Sequence, residues 1–209
     1  MKTIQILLTL LNSLILNYVA FGDSPLTSTN FSIAYSNELR MFKTLNANGL
    51  ITDELMDYCI NSKNPVEIKM AIINKLGWDI KGKKNAAIFL NYLKNKRGYS
   101  TEADLLKKGT GDELLCMAYQ KAMDNYYDVN DAIRYSAIAL TRNYQSYTYQ
   151  IIVALIKAQK ALGNEKNWCQ VYQLTDDVRK NASLARDMKN ESSAIIFEYV
   201  DLYKHNCKQ

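Results

Sequence analysis

The chain reads as all-α, a set of antiparallel helix hairpins stacked into an irregular α-solenoid. Three observations predict this. Apolar residues recur at three- and four-residue spacing through most of the sequence. Only two prolines occur in 209 residues, Pro25 and Pro65, and both stand near expected segment starts. No run alternates apolar and polar residues between turn signals, as a half-buried strand would.

Residues 1–22 read as a secretory signal peptide. Lys2 is their only charge, the apolar run IQILLTLLNSLILNYVAF follows, and Ala20-Phe21-Gly22 offers a small-residue cleavage site. Cleavage is expected before Asp23 or after Ala20. The stretch is about long enough to span a bilayer. However, Gln5, Asn12, Ser13 and Asn17 interrupt it with side chains that are costly in hydrocarbon. The expectation is an exported protein, periplasmic or extracellular, without stable membrane insertion after cleavage. Residues 23–209 are expected to form a single helical domain, with ample length for one core.

The elements follow in order. FSIAYSNE (residues 31–38) is the least regular stretch, read as extended or irregular before a helix reaching about Asn46. Thr52 is placed to cap a short helix from Asp53 to about Ile60. In NSKNPVEIKM, Asn64 is read as a cap, Pro65 as the first helical position, and Glu67 as a first-turn acid. That helix presents Val66, Met70, Ile73 and Leu76 and stops at Gly77. NAAIFLNYLKNKRG ends the next at Gly98, and Ser100 or Thr101 caps a short one ending at Gly109. Helices are then expected over 112–125, 130–141, 146–162, 166–180 and about 190–205, joined by short links suited to antiparallel neighbours. The six consecutive apolar residues Ile151 to Ile156 call for neighbours on more than one side. After the turn at Leu162-Gly163-Asn164, Trp168, Val171, Tyr172, Thr175 and Val178 form a single buried stripe.

DAIRYSAIAL sets Ala132 and Ala139 seven apart, KALGN follows one repeat later, and the turns near Tyr127 and Gly163 lie 36 residues apart. This resembles the tetratricopeptide repeat, whose period is about 34 and whose small residues sit where paired helices approach closely. The sequence departs from it in lacking the proline that ends the second helix and in placing Trp168 at a small-residue position. NPVEIKMAIINKLG followed by NAAIFLNYL is similar to a HEAT-type helix pair. The resemblance covers about residues 110 to 190. It implies an α-solenoid and no particular ligand.

The four cysteines, Cys59, Cys116, Cys169 and Cys207, suit an oxidising compartment. Cys169 is expected to pair with Cys207 across a hairpin of the last two helices, turning near Met188. Cys59 and Cys116 are left open between a second bridge and buried thiols. Cys-x-x-Cys spacing is missing and the one histidine, His205, lies in the C-terminal tail, so neither metal nor cofactor is expected. KKGTGDE (residues 107–113) lacks the full phosphate-loop spacing and reads as a helix linker. DNYYDVND (residues 124–131) lacks the glycine and closing glutamate of a calcium loop and reads as a turn, with Asn130 or Asp131 capping the next helix. Asn30, Asn181 and Asn190 stand in glycosylation sequons.

The chain is mildly basic, with a formal charge of +5, and its charges alternate in sign. The basic runs 81–84 and 94–97 read as solvated helix ends, and no nucleic-acid partner is expected. Seven of the fifteen tyrosines fall between Tyr119 and Tyr149. Tyr126, Tyr127, Tyr144 and Tyr147, with Arg142, are the candidate binding residues, on the expectation that adjacent turns combine into one surface. No catalytic constellation is seen. The functional expectation is an exported scaffold binding a protein or peptide, with an inhibitor or immunity-type protein as a narrower form. The alternative is an enzyme acting on a cell-wall polymer with carboxylates drawn from separate helices.

Overall fold

The computed structural model describes residues 24–45 and 48–208. Among these residues the fold is all-α, with ten α-helices and no strand. A 3₁₀ turn at Phe31–Tyr35 leads into α1 (Ser36–Leu39), followed by α2 (Asp53–Ile60), α3 (Val66–Leu76) and α4 (Asn85–Arg97). Next come α5 (Glu102–Lys108), α6 (Gly111–Asp124), α7 (Asn130–Arg142) and α8 (Tyr147–Leu162). A 3₁₀ turn at Glu165–Asn167 opens into α9 (Trp168–Lys180), and α10 (Asn190–Val200) continues as a 3₁₀ segment, Asp201–Lys208.

Local chemistry accounts for the boundaries. Gly98 ends α4 in the left-handed region at φ 70°, where a side chain would be strained. Thr101 and Thr110 each build a capping box, with Asp104 and Glu113 respectively. Ser146 caps α8 by accepting from Tyr149 N at 3.1 Å. Some caps differ from expectation. Pro65 is itself the N-cap of α3, and Asn64 Nδ2 donates to Tyr58 O at 2.9 Å instead, tying α3 back to α2. Val129 precedes α7 without a side-chain cap, while Asp128 Oδ1 accepts from Asn130 N at 3.1 Å. The first helix stops at Leu39, and Asn46, where it was expected to end, lies outside the described residues.

Neighbouring helices in sequence pack on one another, most extensively α6 on α7 and α8 on α9. The apolar run of α8 is fully enclosed, with α7, α9, α6 and α3 around it. α6 is equally central and touches α2, α3, α4, α7 and α8. Its residues Glu113 to Gln120 are all buried, which the sequence does not advertise because Glu113 and Gln120 interrupt the apolar run. Most buried apolar side chains form one cluster reaching from Leu26 to Val200. A smaller cluster of Ala158, Ala161 and Val171 lies between α8 and α9, with Leu162, Leu174 and Tyr203 against it.

An early turn meets the last helix. The Phe31–Tyr35 turn packs on both α3 and α10. Lys189 N donates to the Tyr35 hydroxyl at 3.0 Å, and Lys189 Nζ donates to Ala34 O and pairs with Glu38. This placement changes the reason for the disulfide. Cys169 and Cys207 are bridged, with Cα atoms 4.7 Å apart. Cys207, however, belongs to the terminal 3₁₀ segment, which packs on α9 while α10 turns toward Phe31–Tyr35. Cys59 and Cys116 are buried and unbridged.

Candidate functional site

The largest cavity described here, about 840 Å³, lies where the α6–α7 turn, the start of α7, the end of α8 and the start of α9 converge. Its floor is Ala161, Leu162 and Leu174 from the smaller apolar cluster, extended by Val129 just before α7 and Ile133 within it. Tyr126 and Tyr127 form one wall. Gln159, Asn164, Asn167 and Gln170 supply polar groups, and Lys157 and Lys160 supply the formal charges of the wall. The Lys157–Leu174 hairpin is therefore both a packing unit and most of the site. Alanine at 161 leaves space that a larger residue would fill, and lysines three apart on a helix lie on neighbouring faces.

Two smaller chambers adjoin it. One, about 390 Å³, shares Tyr126 and Tyr127 and reaches the basic loop Lys81 to Lys84. The other, about 210 Å³, shares Lys157 and Leu174 and reaches Leu184. The main cavity and this second chamber together make a trough floored along α8 and walled by α7 and α9, with the first chamber beyond Tyr126 and Tyr127 at its end.

The tyrosine pair is built from one buried and one exposed ring. Tyr126 is 6% exposed and meets Trp78 edge-on, with ring centroids 5.2 Å apart. Its hydroxyl donates to Tyr127 at 2.8 Å; burial, with that bond second, pushes its pKa up to about 12. Tyr127 is 62% exposed and leans on Tyr126 with ring centroids 4.3 Å apart. The buried ring thus backs the exposed one, and the pair presents an aromatic face.

The other candidates lie elsewhere. Tyr126 and Tyr127 precede α7, whereas Arg142, Tyr144 and Tyr147 follow its first residue by a whole helix, about 18 Å away along the axis. Successive hairpin turns fall at opposite ends of the helices, so the five residues do not make one surface. Arg142 donates to Lys107 O at 3.0 Å and Tyr144 is 64% exposed. Tyr147 is 2% exposed, with the Arg186 guanidinium 4.4 Å above its ring and its N–H on Ala185 O at 3.0 Å. The residues that sequence reading missed are Lys157, Gln159, Lys160 and Gln170. The signal available was the spacing of KAQKAL just before the turn.

A second polar cluster lies in the interior. Lys69, fully buried, pairs with Asp112, and the Tyr149 hydroxyl donates to the same carboxylate. Burial, then the nearby Asp112 charge, raises the Tyr149 pKa well above the ordinary tyrosine range. Burial and a hydrogen bond with Cys59 likewise push the Cys116 thiol up, which keeps it protonated and a poor nucleophile. None of these residues walls the cavities described here. The cluster is an internal brace between α3, α6 and α8.

Among the described residues no group of three or more His, Cys, Asp or Glu side chains is placed to hold a metal ion, and no helix is long and apolar enough to cross a membrane. His205 is exposed, its Nδ1 2.7 Å from Leu202 O. The chain matches no protein-family model, no curated protein and no solved structure.

Proposed function

We propose that this is an exported helical binding protein that takes a segment of a protein or peptide partner into the trough along α8. The single observation that carries the reading is the trough itself. An apolar floor, an aromatic wall and amide side chains at the rim are the parts of a peptide-recognition groove. The ionisable groups of its main cavity are two lysines and two tyrosines, a set suited to holding a ligand. Two features support export: the signal-like residues 1–22 and the Cys169–Cys207 bridge, which persists in an oxidising compartment.

In this reading α6–α7 and α8–α9 are two tetratricopeptide-like hairpins of an irregular solenoid, and the trough is their shared concave side. The pairs begin at Gly111 and Tyr147, 36 residues apart, and Ala132, Ala139, Ala158 and Ala161 are buried where paired helices approach. An inhibitor or immunity-type role is a specialised form of the same activity.

Affinity capture from the medium or periplasm, followed by mass spectrometry, tests the proposal. The native protein and a Tyr144→Ala variant should retain the same partner, and a Tyr127→Ala variant should lose it. A retained set unchanged by Tyr127→Ala overturns the assignment of this trough.

A further inference from the structure

We infer that the partner segment is acidic: an extended stretch of chain whose carboxylates sit over Lys157 and Lys160 while intervening apolar side chains rest on Leu162, Leu174 and the Tyr127 ring. The inference rests on the trough being a peptide site and adds the chemistry of its occupant. The observation behind it is an imbalance of charge. The main cavity has Lys157 and Lys160 in its wall, both exposed, and no carboxylate. Neither lysine has an ion-pair partner among the salt bridges of the described residues. Nine basic side chains of the described residues, Lys69, Lys96, Arg97, Lys108, Lys121, Arg134, Arg179, Lys180 and Lys189, each meet an acid, and what marks the main cavity is two unpaired lysines with no acid in its lining.

The adjoining chamber continues the pattern. Lys81 and Lys84 are exposed there, with Lys83 beside them, so the three lysines outnumber the two carboxylates present. Asp79 Oδ1 accepts from Lys81 N at 2.8 Å, and Asp124 Oδ2 accepts from Ala86 N at 2.7 Å below a buried surface. A segment running from this loop past Tyr127 to Lys157 passes exposed lysines at both ends of its path, and the 210 Å³ chamber beyond Lys157 holds one exposed carboxylate, Asp177. Like-charged segments are repelled, which gives selectivity as well as attraction.

The test uses the chain from Asp23 onward and three fluorescein-labelled peptides, repeating Glu-Leu-Ala, Gln-Leu-Ala or Lys-Leu-Ala, with binding read by fluorescence anisotropy. The glutamate peptide should bind about tenfold more tightly than the glutamine peptide, two ion pairs of about 0.7 kcal/mol each, within their usual range. The lysine peptide should bind weakest. The preference should fade between about 0.05 and 0.5 M salt and should vanish in a Lys157→Gln/Lys160→Gln double variant whose thermal unfolding is unchanged. Equal binding of the glutamate and glutamine peptides, or an unaltered preference in the double variant, overturns the inference. A photo-crosslinking residue in place of Tyr127 separates this failure from that of the site itself. A crosslinked segment of net negative charge supports the inference. A neutral or basic segment overturns it while leaving the trough as a site, and no crosslinked partner at all overturns both.

Discussion

Replacing Tyr126 with alanine removes a ring packed against Trp78 and buried at the mouth of the trough. The expected cost is about 3 kcal/mol, read from urea unfolding. Tyr127→Ala, one position on, removes a largely exposed ring and should move the melting temperature by no more than about 2 °C. Two residues of one type differ because only one of them meets the core. Asp176 behaves differently again. Its burial alone would raise the carboxyl pKa, but hydrogen bonds from Lys180 and Arg179 outweigh that and hold it at about 2. In the unfolded chain the group binds its proton near pH 3.8. The stabilisation is therefore complete above that pH and disappears as pH falls through about 2. Asp176→Asn should be less stable than the native protein at neutral pH, by about 1 to 2 kcal/mol. Urea unfolding curves should show that difference closing between pH 4 and 2.

At the scale of the helix, α6 shows how a start signal becomes a packing device. Thr110 and Glu113 form the capping box, but the same Glu113 carboxylate also accepts from Arg97 Nε at 2.6 Å and from the Tyr99 hydroxyl at 3.0 Å. Thr110→Ala should cost about 1 kcal/mol, the ordinary worth of a cap. Glu113→Ala should cost about 3 kcal/mol, because it also strands the buried hydroxyl of Tyr99 and unpairs Arg97. Chemical unfolding of the two variants distinguishes a cap from a hub. Gly111 belongs to the same logic. A Cβ there would stand 2.7 Å from the Tyr149 hydroxyl and 3.1 Å from Arg142 Cβ, so glycine is required by close approach of α7 and α8. The start of α6 was legible as a linker and a helix beginning. That the linker touches two later helices was not, since neither contact has a local signature.

Over the whole molecule, the Cys169–Cys207 bridge joins α9 to the terminal 3₁₀ segment across 38 residues. Replacing both cysteines by serine should lower the unfolding free energy by about 3 to 4 kcal/mol on loop-closure arguments. Amide exchange in α9 and the terminal segment should then quicken before that in α6. The pairing itself was foreseeable from position, yet the partner surface was not: α10 leaves α9 to pack on Phe31–Tyr35, where Lys189 meets Tyr35 and Glu38. The sequence by itself determined which stretches are helical, most of their ends and the enclosure of Ile151 to Ile156, because periodicity, caps and glycine stops act within a few residues. Only the tertiary structure decided that Tyr127 and Arg142 face opposite ends of α7, that the Phe31–Tyr35 turn closes on α10, and that Lys157 and Lys160 share a trough with tyrosines some thirty residues earlier. Those outcomes depend on how α8 is gripped between its neighbours, and packing of that kind is a sum over contacts distant in sequence, none of which leaves a local mark.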